Sequence, residues 1–102
     1  MEFQLKIAPK AQEDIDGIYD YVLKDGESIA KNQVSVIMDA LDNLKTFPEI
    51  GVMLSNKISS KSDYRFLVIN KVYIVFYKIH KDFIGVYRVF RKEQDYLKIL
   101  DF

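Results

Sequence analysis

Tyr64-Arg65-Phe66-Leu67-Val68-Ile69-Asn70-Lys71-Val72-Tyr73-Ile74-Val75-Phe76-Tyr77-Lys78-Ile79-His80-Lys81-Asp82-Phe83-Ile84-Gly85-Val86-Tyr87-Arg88-Val89-Phe90 is the stretch that decides the fold. It is dense in Val, Ile, Phe and Tyr, the residues that suit a pleated, half-buried surface. Two polar breaks, Asn70-Lys71 and His80-Lys81-Asp82, cut it into three runs, Arg65 to Ile69, Val72 to Ile79 and Phe83 to Phe90. Three strands with such short links predict an antiparallel meander.

Moving toward the amino terminus, residues 50 to 63 read as an irregular basic loop. It carries Gly51 and the polar run Ser55 to Ser62, with Lys57 and Lys61 as candidate binding residues and a short strand around Met53-Leu54. Before it, the period changes from two to 3.6. Ile29, Val36, Ile37, Ala40, Leu41, Leu44 and Phe47 keep helical spacing from a candidate N-cap at Ser28 to Pro48. Ala11, Ile15, Ile18 and Val22, joined by Tyr19 and Leu23, predict an earlier helix that starts near Pro9 and ends near Gly26. Its acids Glu13, Asp14, Asp16 and Asp20 are expected on the solvent face. The two helices form an αα-hairpin. Glu2 to Ala8 alternates, with Phe3, Leu5 and Ile7 on one side, as a one-sided strand does. Beyond the meander, Arg91 to Phe102 is expected to form a short helix with Tyr96, Leu97 and Leu100 against the sheet. The expected fold is α+β, in the order β-α-α-β-β-β, with the helical hairpin on one face of a twisted antiparallel sheet.

The chain has 102 residues, of which 49% are hydrophobic, enough for one domain with its own core spanning residues 1–102. No apolar run reaches membrane-spanning length and the first residues lack a signal-peptide pattern, so the expected location is the cytoplasm. Cysteine is absent and His80 is the only histidine, which excludes disulfides, thiolate chemistry and the usual Cys- or His-built metal centres. Neither glycine-rich phosphate loop occurs. No metal and no cofactor is expected. The net charge is zero, but residues 1–51 hold ten acids and five bases while residues 52–102 hold five acids and ten bases. All three arginines, Arg65, Arg88 and Arg91, fall in the basic half, where a face recognising nucleic acid or an acidic peptide competes with a solvated sheet face.

Several segments in this order resemble the RelE/ParE superfamily, the toxins of bacterial type II toxin–antitoxin modules. They are Ile7-Ala8-Pro9-Lys10-Ala11-Gln12-Glu13-Asp14-Ile15, Leu44-Lys45-Thr46-Phe47-Pro48-Glu49-Ile50-Gly51, Tyr64-Arg65, Tyr73-Ile74-Val75-Phe76-Tyr77-Lys78-Ile79 and the ending from Val86 to Tyr96. The resemblance covers nearly the whole chain. It implies a cognate antitoxin partner in a hetero-oligomer, and one of two targets. RelE-like members are ribosome-dependent mRNA endonucleases; ParE-like members poison DNA gyrase. For the RelE-like branch the resemblance makes Arg91, Lys92 and Tyr96 the catalytic candidates. The middle strand departs from that branch, because the RelE pattern places an Arg where this chain reads Tyr73-Ile74-Val75-Phe76-Tyr77, and a missing guanidinium removes transition-state stabilisation. The ParE-like pattern fits better and needs no catalytic acid or base. A third reading is an inactive module that only binds its antitoxin.

Arg65 either contacts a target or antitoxin, or pairs with an acid of the helices. Arg88, inside a strand, calls for a buried partner such as Glu13 or Asp16. Tyr73 and Tyr77 share a strand face, where core packing is favoured over base stacking, and His80 reads as a turn residue. An apolar stripe left exposed on the helical hairpin is expected to be covered by the antitoxin.

Overall fold

The computed structural model describes residues 3–54 and 63–94. β1 (Gln4–Ile7) leads into α1 (Pro9–Leu23) and α2 (Glu27–Asn43), a single 3-10 turn (Pro48–Ile50), β2 (Val52–Met53), β3 (Tyr64–Ile69), β4 (Tyr73–Ile79) and β5 (Phe83–Arg91). Of the tail helix expected from Arg91 to Phe102, Arg91 instead ends β5 and residues 92–94 form a turn, because β5 stays paired with β4 as far as Arg91. Residues 95–102, Tyr96 among them, lie outside the described residues, as do Lys57 and Lys61.

β3, β4 and β5 form the antiparallel meander, with Phe66 opposite Phe76 and Ile74 opposite Phe90. The β3–β4 turn holds Asn70 and Lys71 at φ 52° and 60°, and Val72 N–H donates to Ile69 C=O. Positive φ at both central residues gives the mirror-image hairpin turn whose twist matches the strands. Among the described residues the sheet has five strands in the order β1-β5-β4-β3-β2. It is mixed, and so departs from the all-antiparallel expectation: β1 runs parallel to β5, with Ile7 opposite Val86. The first strand is one-sided as its alternation requires, but its partner lies some eighty residues later in the sequence, and no local pattern encodes that direction. The short strand near Met53 is present as β2, against Phe66 and Arg65 of β3.

Ala11, Ile15 and Ile18 of α1, with Ile37 and Leu41 of α2, pack on Tyr73, Val75, Tyr77, Ile84, Val86 and Val89 of the sheet. Burying each aliphatic side chain stabilises the fold by about 1.5–3 kcal/mol. Tyr73 to Tyr77 is buried without a break, because the other face of β4 joins a second cluster of Leu54, Ile74, Phe76 and Phe90. The hairpin connection differs from expectation at one point. α2 starts at Glu27 after Gly26, whose φ of 126° no side chain adopts without strain, so Gly26 replaces Ser28 as the helix entrance.

Candidate functional site

Pairing between β4 and β5 slips by one residue, Phe76 facing Arg88 while Tyr77 faces Val86, so Tyr87 is a bulge. Gly85 makes room for it: a Cβ there would lie 2.5 Å from the Tyr87 hydroxyl oxygen and 2.7 Å from its ring. The Tyr87 hydroxyl lies 2.8 Å from His80 Nε2, and its ring meets Tyr64 edge-on at 5.6 Å. His80 stacks on Phe83 at 4.2 Å, and Lys6 sits 4.3 Å from the Phe83 ring centre. His80 thus belongs to an aromatic and cationic row on the helix-free face rather than to a bare turn.

After the bulge, β5 runs past the end of β1, and its outer edge is closed by side chains. Asp14 accepts three hydrogen bonds there: Arg88 Nε at 2.7 Å, Arg88 Nη2 at 3.0 Å and Val89 N–H at 2.9 Å. Gln94 accepts from Arg91 N–H at 2.8 Å. Arg88 is 8% exposed, and its guanidinium also covers the Phe90 ring at 4.4 Å. Its partner is therefore Asp14, neither Glu13 nor Asp16, and Asp14 leaves the solvated stripe in which periodicity grouped it. One signal was present. Asp14 falls on the same helix side as Ala11 and Ile18, three and four residues away.

Arg65 meets backbone, not a helix acid. Its Nη1 donates to Gly51 C=O at 2.9 Å and, more weakly, to Glu49 C=O at 3.4 Å. Tyr77 completes the anchor: its hydroxyl donates to Pro48 C=O at 2.7 Å and accepts from Gly51 N–H at 2.8 Å. Tyr73 likewise donates to Gln33 Oε1 at 2.7 Å. Both tyrosines are core residues with satisfied hydroxyls.

Arg91 is joined to Glu93 at 2.6 Å and lies 3.9 Å from the Tyr21 ring, which Lys24 approaches at 4.0 Å. Lys92 is exposed beside it. Arg91 and Lys92 therefore stand at the end of β5, with β4 between them and Arg65 on β3. The three arginines do not converge on one point.

The Tyr64, Tyr73 and Tyr77 hydroxyls are all pushed above the usual tyrosine value. Burial is the first cause in each case, reinforced at Tyr64 by Tyr87 and Asp63 and at Tyr73 by Glu93. At Tyr77, Gly51 N–H and Arg65 oppose the burial without overcoming it. These groups stay protonated, and the Tyr73 and Tyr77 hydroxyls act as donors, not bases. Among the described residues no buried side-chain polar atom lacks a partner, and no group of three His, Asp or Glu gathers as metal donors. No described helix is long and apolar enough to cross a membrane.

A profile of the ParE toxin of the parDE type II toxin–antitoxin system matches residues 5–96. The chain belongs to the ParE toxin family. The fold of this ParE-family toxin is shared with the chromosomal ParDE system of Pseudomonas aeruginosa, at a TM-score of 0.77 and 22% identity over 90% of this chain and 98% of that one. The conserved hypothetical protein HP0894 of Helicobacter pylori is more distant, at a TM-score of 0.52 and 16% identity over 90% and 97%. No curated protein matches the chain. The ParE assignment covers the Asp14–Arg88 pair, the Tyr77 anchor and the whole meander.

Proposed function

We propose that this toxin arrests growth by poisoning DNA gyrase in the cytoplasm, and that a cognate antitoxin neutralises it. The observation that carries this reading is the fate of the arginines. A metal-independent nuclease needs guanidinium groups free to meet the scissile phosphate. Here Arg88 is spent on Asp14, Arg65 on backbone carbonyls, and Arg91 on Glu93 and Tyr21. The middle strand offers Ile74 and Phe76, both buried, where the RelE pattern places an arginine. Such a surface acts by binding, and ParE-like action requires only that. The antitoxin follows from the family and from the ParDE relative.

Induced expression in a bacterium, followed after minutes by assays of chromosome breakage and of mRNA ends, tests the choice of target. The gyrase reading expects broken DNA and intact transcripts. Codon-phased cuts in mRNA with intact DNA would favour the RelE-like nuclease, with Arg91, Lys92 and Tyr96 as its catalytic set. Unimpaired growth would leave the inactive antitoxin-binding module.

A further inference from the structure

Among the described residues the helical hairpin exposes large apolar side chains only near its tip, at Tyr21, Leu23 and Ile29, so the stripe expected along the helices does not run their length. The helix-free face of the sheet carries a more specific feature. Register places Lys6 of β1 beside Gly85 of β5, Gly85 beside Lys78 of β4, and Lys78 beside Tyr64 of β3. These four positions form one line across the strands. Leu5 and Ile7 pack in the helix-side core, as do Tyr77 and Ile79, so alternation turns Lys6 and Lys78 to the opposite face.

Gly85 bears no side chain, and the Tyr87 ring lies over it, since a Cβ there would fall 2.7 Å from that ring. The ring therefore stands between two lysines whose strands are two spacings apart, about 10 Å. Each cation has an aromatic neighbour, Lys6 at 4.3 Å from the Phe83 ring centre and Lys78 at 5.7 Å from that of Tyr64. His80 bonds the Tyr87 hydroxyl and stacks on Phe83, and the exposed Lys81 follows it in the turn. Side chains braced in this way lose little freedom when a ligand arrives.

The charges of the row are left largely unanswered. Lys6 and Lys81 make no ion pair among the described residues. Lys78 approaches Asp63 at 3.9 Å, but that carboxylate is 74% exposed, and so loose a surface contact holds the ammonium weakly. Asp82, exposed in the turn, is the other acid nearby. Spaced ammonium groups act as point charges and suit phosphates, whereas the carboxylates of an acidic peptide are best met by a guanidinium fork, which this row lacks. Rings set among the cations add contact to sugars and bases.

We propose that this row binds the sugar–phosphate backbone of DNA. Lys6 and Lys78 meet separate phosphates of one backbone, Lys81 meets a third, and Tyr87 lies between them. Its purpose rests on the gyrase reading, the DNA being the segment that gyrase holds, while the contact itself belongs to the toxin alone.

The test follows the full chain binding a short labelled DNA duplex by fluorescence anisotropy at several salt concentrations, with melting by circular dichroism and gyrase supercoiling measured beside it. Lys6→Gln/Lys78→Gln keeps wild-type melting, weakens DNA binding about tenfold at low salt, and lowers the slope of log affinity against log salt by about two. Lys10→Gln/Lys31→Gln, the same change of charge on the helices, leaves affinity and slope unchanged. Asp63→Asn tightens binding about twofold, because it removes the acid beside Lys78. A wild-type chain that binds no duplex overturns the proposal, as does an equal loss in the helix variant. So does tighter binding of RNA that the row variant abolishes, which assigns the row to RNA, or stronger competition by polyglutamate than by DNA, which assigns it to an acidic protein. Gyrase inhibition without DNA binding overturns the row alone. DNA binding through the row without gyrase inhibition upholds the row and overturns the gyrase reading.

Discussion

Replacing Asp14 with Ala strikes the contact that joins the first helix to the last strand. Arg88 and Asp14 side chains are 9% and 14% exposed, so the pair is screened little by solvent. Removing the carboxylate leaves a buried guanidinium uncompensated, which costs about 3–5 kcal/mol. Val89 N–H also loses its acceptor, about 1 kcal/mol more. A domain of this size has a total stability of about 5–15 kcal/mol, so Asp14→Ala removes a large share of it. At about 4–8 °C per kcal/mol, the melting temperature falls by roughly 15–50 °C. The chain has no tryptophan, so far-UV circular dichroism in a urea series is the suitable probe. Asp16→Ala is the control, because Asp16 is exposed and only accepts from Gln12; its cost should stay within about 0.5 kcal/mol. Asp14→Leu combined with Arg88→Met should recover most of the loss, since apolar replacement of a buried pair is commonly neutral or better. The reasoning is refuted if Asp14→Ala costs no more than Asp16→Ala, or if the double variant is as unstable as the single one.

Three further outcomes follow from the same geometry. Gly51→Ala should destabilise by about 1–3 kcal/mol in chemical denaturation, because the new methyl meets the Phe66 carbonyl as well as the Tyr77 hydroxyl and the backbone has no room to yield. Lys71→Gly should stabilise by about 0.5–1 kcal/mol, as it relieves a side chain at φ 60°; a lower melting temperature would contradict this. The contribution of Tyr77 to stability should be level up to about the ordinary tyrosine value of 10.0 and fall above it, since the folded state holds the Tyr77 proton to higher pH than the unfolded chain does, and Tyr77→Phe should lessen the alkaline decline.

Local chemistry made the helices, the meander and the one-sided first strand legible, since each rests on the period of its own residues. What stayed hidden depends on distant partners. Nothing between Gln4 and Ile7 says that Phe83 to Val86 lies alongside and parallel. The bulge left a faint trace: Ile84 and Val86 keep step, then the next apolar core residue is Val89 rather than position 88. Arg88 was readable as a buried cation in need of an acid, but choosing Asp14 over Glu13 or Asp16 required the packing angle of α1 against the edge of β5. Arg65 was misjudged for a different reason. Its acceptors are backbone carbonyls of the turn after α2, and a carbonyl has no letter in the sequence.

The central claim, that this toxin acts by binding gyrase, is tested most directly by adding the purified chain to DNA gyrase with relaxed plasmid and ATP. The account predicts loss of supercoiling and accumulation of linear DNA at near-stoichiometric toxin, both reversed by the antitoxin. Full supercoiling at excess toxin, with mRNA cut in a parallel translation reaction, would contradict it.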